Sequence, residues 1–169
     1  HCCILKDKDT TGLPVATDAT CSGLQILAGL ARDKETAKLV NVLDSPEPQD
    51  AYKVVAEVSK WNIPDRLRGI WSRKEVKRTV MTIPYNAKPF SNRSYIKDAL
   101  AEKNIDIDKD ELTQTVRAVR SAMSVKFPGP MSVMKWIETE VSKIIRDKQK
   151  IANVVELEWE TPSGFIVHQ

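Results

Sequence analysis

The chain has 169 residues, 41% of them hydrophobic, and a formal net charge of +3. That is enough material for one domain or two small lobes with a core, and too little charge to mark a polyanion-binding surface unless it is clustered. No run of about 18 apolar residues occurs, so no membrane-spanning helix is expected, and six glycines exclude a collagen-like or loop-rich chain.

At the start, Cys2 and Cys3 read as ordinary thiols near a terminus; with Cys21 they make an odd count without CxxC spacing, which fits a reducing compartment. No signal peptide is visible. His1 and His168 stand at opposite ends and form no metal cluster. The chain begins without Met and stops at Gln169, inside what reads as a strand. It is therefore read as a piece of a larger protein.

Residues 13–18 alternate as a strand, with Leu13, Val15 and Thr17 on one face and Pro14, Ala16 and Asp18 on the other. Asp18 is expected at the C-terminal edge of a sheet, just before a helix, where α/β proteins place groups that do chemistry. Ser22 and Gln25 read as a capping box opening a helix that runs through Arg32. Its apolar face is Leu24, Leu27, Leu30 and Ala31. The ordinary alternative for Asp18 is a cap, a role that Ser22 already fills.

Further helices are expected over 34–43 and 48–60, the latter with Tyr52, Val55 and Val58 inward, and Pro64 breaks the chain. Residues 72–83 form a basic helix, followed by helices at 91–102 and 110–124. Between these two, Asp106, Asp108 and Asp110 imitate the start of a calcium loop. Glu111 stands where its glycine belongs and Arg117 where its last glutamate belongs, so calcium is not expected. Pro130 opens a long helix to residue 147, in which Val133, Met134, Ile137, Val141, Ile144 and Ile145 recur as a core-type stripe. Val155, Leu157 and Trp159 then alternate with glutamates, TPSG makes a turn, and a second strand restarts at Phe165. The chain is thus α+β and predominantly helical, with a short strand at its start and a β-hairpin at its end.

In the basic helix, Arg73, Lys77, Met81 and Tyr85 are spaced four apart, forming one slowly drifting stripe about 18 Å long. That length suits a nucleoside triphosphate, with cations for phosphates at one end and a ring for sugar or base at the other. Arg78 adds another cation. Pro84 ends the helix or kinks it, leaving Tyr85 at a point where a side chain can move. The alternative is a solvated basic face. Against it, Glu75 is the only nearby acid for four cations, and Val76, Val80 and Ile83 give the helix an apolar back.

Together these runs resemble the single-subunit, bacteriophage-type DNA-dependent RNA polymerases. DATCSGLQ, 18–25, is similar to the family's first carboxylate motif, D-G-S/T-C-S-G-L/I-Q. KLVNVL, 38–43, and DAYKVVAEV, 50–58, resemble the stretch after it. RKEVKRTVMTIPYN, 73–86, is similar to the fingers helix, R-x-x-x-K-R/Q-x-V-M-T-x-x-Y-G, and ETPSGFIVHQ, 160–169, to the T-P-x-G-F/V-P-V-x-Q hairpin. Order and approximate spacing hold along nearly the whole chain.

The resemblance implies palm and fingers of a right-hand polymerase, with residues 1–45 in the palm and 46–169 in the fingers, including a nucleotide-binding helix at 72–86 and a hairpin at 154–169. It implies that Asp18 is one of two aspartates that hold two magnesium ions, with the Ala19 carbonyl as a further ligand. Lys77 would contact the triphosphate and assist proton transfer to pyrophosphate. Arg73 would grip the outer phosphates, with Arg78 as a weaker candidate. Tyr85 would stand at the sugar and base and favour ribose, and Met81 would line that pocket. The implied partners are a DNA template, an RNA product and ribonucleoside triphosphates, for a monomeric, phage-encoded enzyme in the cytoplasm of an infected bacterium, with a mitochondrial or plastid origin as the alternative.

Ala19 and Asn86 stand where the family has glycine, and Ile166 where it has proline. Asn tolerates positive φ, so the turn after Tyr85 can survive. Between Trp61 and Trp71 the chain is shorter than in well-known members. The second aspartate, in an H-D-S motif, is expected beyond Gln169, so this chain alone is not expected to make RNA. The alternatives are a piece of a related DNA polymerase and a non-catalytic basic module that binds nucleic acid.

Overall fold

The computed structural model describes residue 16, residues 18–152 and residues 157–168. Helices dominate it. In chain order they are α1 (Ser22–Ala31), α2 (Lys34–Leu39), α3 (Ala51–Ser59), α4 (Arg73–Thr82), α5 (Pro89–Ala101), α6 (Lys109–Lys126) and α7 (Pro128–Ala152). Single 3-10 turns at Lys60–Asn62, Asp65–Leu67 and Ile83–Tyr85 join or extend them. No described helix is long and apolar enough to cross a membrane.

Most helix starts obey simple capping chemistry. The Asp33 side chain accepts from Thr36 N–H at the start of α2, Asp50 from Tyr52 and Lys53 N–H at α3, and Asp108 from Asp110 and Glu111 N–H at α6. Asp108 thus serves a helix end. At α4, Ser72 and Glu75 form a full capping box. The box expected at Ser22 and Gln25 is absent: Cys21 is the N-cap of α1, without a side-chain bond. Ser22 Oγ is instead 2.9 Å from Tyr85 Oη, and Gln25 Nε2 donates to the Val40 carbonyl at 2.7 Å. Two side chains with distant partners have been drawn away from the local bond.

The core lies where α3, α4, α5 and α6 meet. Val55, Val76, Val80, Ile96, Leu100, Val119, Met123 and Phe127 are fully buried there, and Leu24 of α1 joins them. The expected apolar back of α4 is all inward, with Ile83 also buried. The stripe on α7 is a correction. Val133, Met134, Val141 and Ile145 are half-buried, while Ile137 and Ile144 are exposed. α7 lies mainly against α1, with lesser contacts to α6 and the Ile83–Tyr85 turn, so only part of its wide apolar face is covered.

The strand expected at 13–18 lies mostly outside the described residues; Ala16 and Asp18, which are described, carry no regular structure. At the other end β1 (Glu158–Glu160) pairs antiparallel with β2 (Ile166–His168), Trp159 opposite Val167. Gly164 N–H donates to the Thr161 carbonyl, and Gly164 takes φ 82°, which suits a glycine in this turn. The remainder of the hairpin expected at 154–169 lies outside the described residues.

Candidate functional site

Three chain segments meet at the start of α1. The loop before it carries Asp18, Ala19 and Thr20; α3 brings Tyr52; the end of α4 and the turn after it bring Met81 and Tyr85. Together with Cys21, Ser22 and Gly23 they line a cavity of about 100 Å³. Asp18 is exposed, and Ala19 N–H donates to its Oδ1 at 2.8 Å. Among the described residues it is the only carboxylate lining this cavity. No group of three or more metal-binding side chains occurs among the described residues. One carboxylate does not by itself complete a divalent-cation site of the usual oxygen-rich kind.

Two bonds lock this corner. Tyr52 Oη donates to the Thr20 carbonyl at 2.9 Å, anchoring the loop after Asp18 to α3. Burial, and then the neighbouring Cys21 thiol, push the Tyr52 phenol well above its ordinary pKa, so it remains a donor. The Ser22–Tyr85 hydroxyl pair joins α1 to the turn after α4. Gly23 makes that approach possible, since a Cβ there would meet Pro84 Cβ at 2.8 Å and the Tyr85 ring at 3.1 Å. Tyr85 is nonetheless 66% exposed and Met81 44%, so both keep surface open beside the cavity they line. Asn86 takes φ 65° and ends the turn, as expected for an Asn in place of glycine.

The cations of α4 separate into distinct environments. Lys77, one turn before Met81, is exposed and has no hydrogen bond or ion pair among the described residues. Arg73 lines an adjoining cavity of about 330 Å³ that shares Thr20, Cys21 and Tyr52 with the first. Its Nε donates to Asp50 Oδ2 at 2.6 Å and its guanidinium lies 5.0 Å from the centre of the Tyr52 ring. Arg78 is not part of this corner. It faces α5, 3.7 Å from Asp98 and 4.3 Å from the centre of the Tyr95 ring. Lys74 pairs with Glu102 at 2.8 Å. The shortage of acid around α4 is thus only a shortage along the sequence; Asp50, Asp98 and Glu102 arrive from other elements.

Asp18, Ala19, Met81 and Tyr85 are therefore brought together, Lys77 and Arg73 flank them, and Arg78 is excluded. Tyr52, Asp50 and Ser22 were not among the residues expected at a site. Each has an ordinary local reading, as core ring, helix cap and capping box, and no local signal marks its distant partner.

A family model described as DNA-dependent RNA polymerase matches residues 6–169. Human mitochondrial DNA-directed RNA polymerase is 34% identical over 171 residues, which cover 93% of this chain and 13% of that protein. DNA-directed RNA polymerase 2A of Nicotiana tabacum is 31% identical, over 93% of this chain and 52% of that protein. The DNA-directed RNA polymerase of enterobacteria phage T3 is 26% identical, over 93% of this chain and 23% of that protein. The chain thus spans between 13% and 52% of the length of these relatives. The expected phage origin and bacterial-host location are corrected by these matches. Relatives named as mitochondrial or chloroplastic are 29–34% identical, above the 26% of the phage protein.

Proposed function

Since this chain belongs to the DNA-dependent RNA polymerase family, of the single-subunit phage type, we propose that it supplies part of the nucleotidyl-transfer site of such an enzyme. The observation that carries this reading is the shared cavity of Asp18, Met81 and Tyr85. An acid meets a thioether and a phenol more than 60 residues further along the chain, with an unpaired lysine one turn before the thioether on the same helix. A solvated basic face would not need a carboxylate and an exposed ring at its end.

The roles follow from position. The Asp18 carboxylate and the Ala19 carbonyl are this chain's share of a magnesium site, to which the family's other aspartate, outside this sequence, contributes the rest. Two magnesium ions, when bound, would activate the primer hydroxyl and neutralise the departing pyrophosphate. Lys77, free to reach phosphate oxygens, holds the triphosphate and can give a proton to the leaving pyrophosphate. Arg73 holds the outer phosphates. Tyr85 and Met81 form the wall for sugar and base, and the Tyr85 hydroxyl selects ribose. Arg78, turned toward α5, takes no part. Residues 1–45 are assigned to the palm and 46–169 to the fingers of a monomeric enzyme acting on a DNA template.

The test is Asp18→Asn in the full-length parent protein. RNA synthesis from ribonucleoside triphosphates is expected to fall by about 10³-fold or more, the scale of several kcal/mol of charge stabilisation. Unchanged synthesis would remove Asp18 from the site. Preferential incorporation of deoxyribonucleotides by the unmutated parent would point to a DNA polymerase. Loss of DNA binding alone, steeply dependent on salt, would point to a basic binding module.

A further inference from the structure

Asp50 is accounted for as the N-cap of α3, yet only half of its carboxylate does that work. Oδ1 accepts from the N–H groups of Tyr52 and Lys53, at 3.0 and 3.1 Å. Oδ2 accepts from Arg73 Nε at 2.6 Å, across 23 residues of sequence. The carboxylate takes Nε alone. The two terminal nitrogens of Arg73 have no hydrogen bond among the described residues, and the side chain is half exposed on the 330 Å³ cavity. The guanidinium is held from a second direction by the Tyr52 ring, 5.0 Å below it, and Tyr52 in turn holds the Thr20 carbonyl in the Asp18 loop.

We infer that Asp50 is a positioning residue for Arg73, setting the guanidinium so that its two outer nitrogens face the phosphates of an incoming nucleotide. The chain Asp50–Arg73–Tyr52–Thr20 ties that orientation to the Asp18 loop. An arginine side chain carries substantial rotamer entropy. A carboxylate on Nε and a ring under the guanidinium remove much of it before the ligand arrives, which is how preorganisation raises affinity. A two-point fork matches a phosphate only when its plane is set.

The inference rests on the nucleotide-site reading above, and its test separates the two. Asn caps a helix about as well as Asp, so Asp50→Asn keeps the α3 start and removes the charge that holds Arg73. In the full-length parent, Asp50→Asn is expected to raise the KM for ribonucleoside triphosphates about three- to tenfold, as for one partly exposed charge-assisted contact. The inhibition constant of inorganic pyrophosphate should weaken in parallel, with kcat within about twofold and an unchanged unfolding midpoint. In an Arg73→Ala background, Asp50→Asn should add nothing further. A cap alone would be silent in Asp50→Asn and lose stability in Asp50→Ala. A KM unchanged by Asp50→Asn, or a KM effect that persists without Arg73, overturns the positioning role and leaves the polymerase reading standing. A parent that neither binds nor incorporates ribonucleotides overturns both.

Discussion

At Gly23 the start of α1 comes so close to Pro84 and Tyr85 that no side chain fits between them. The nearest atom, 2.8 Å from a built Cβ, belongs to a proline ring that cannot rotate away. Gly23→Ala should therefore push the Tyr85 turn outward and break the Ser22–Tyr85 bond, at a cost of about 1–3 kcal/mol. If the Tyr85 hydroxyl selects ribose, the ratio of kcat/KM for ribo- over deoxyribonucleotides will fall in the same variant. Gly29, in the same helix, has nothing within 4 Å of such a Cβ. Gly29→Ala serves as the control and should stabilise by about 0.5–1 kcal/mol through helix propensity. Equal responses at the two positions would contradict the steric account.

At the scale of the element, α4 combines a sealed inner face with an outer face of divided loyalties. Glu75 is its inner acid, 1% exposed. Its Oε2 accepts from the Ser72 N–H and hydroxyl at 2.8 Å each, closing the capping box, and Lys103 Nζ lies 2.6 Å from Oε1. Burial opposes ionisation of this carboxyl, but the bonds from Lys103 and Ser72 outweigh it and hold its pKa below the ordinary 4.5. A depressed acid contributes stability that is fully present above its unfolded-state pKa and is lost as pH falls through the folded one. Denaturant midpoints should therefore fall below about pH 4.5. Part of that fall should disappear in Glu75→Gln, which itself should cost about 1–3 kcal/mol at neutral pH. An identical acid limb in the variant would show that other carboxylates dominate. Glu111, held low first by its hydrogen bond from Arg66, and Glu138, by that from Lys88, contribute to the same limb.

Over the whole molecule, α7 is tied to the rest by an acid 96 residues away in sequence. Asp33 Oδ2 accepts from the Gly129 N–H in the first turn of α7, at 3.2 Å, while Oδ1 and Oδ2 also accept from the N–H and hydroxyl of Thr36. One carboxylate thus serves the starts of two helices. Gly129 is required there because a Cβ would meet Asp33 Oδ2 at 2.6 Å. Asp33→Ala is expected to destabilise by about 1–3 kcal/mol, more than a single cap. Combined with Gly129→Ala, it should give less than the sum of the two, because both act on one contact. Additive effects in urea unfolding would place the two residues in separate interactions.

Periodicity and punctuation made most helices legible in advance. Val76, Val80 and Ile83 turned inward as their spacing required, Asn86 took the left-handed turn, and the Thr161–Gly164 turn closed a hairpin. Two errors share a cause. The capping box at Ser22 and the core role of the α7 stripe are local rules, and distant partners decided both: Tyr85 and Val40 took the polar groups, and α1 with its neighbours covers only part of the stripe. The charge excess on α4 failed likewise, because counting along the chain cannot see Asp50, Asp98 or Glu102 folded against it.

Sequence alone determined the family and named the candidates for its site, since motifs such as DATCSGLQ and RKEVKRTVMTIPYN are linear strings whose order survives without coordinates. Tertiary structure alone decided which of those residues meet. Side-chain partnership depends on distances of a few ångströms between segments 23 to 63 residues apart. Packing sets those distances, and it joined Asp18 to Tyr85 at one cavity, left Lys77 free, tethered Arg73 to Asp50 and turned Arg78 away.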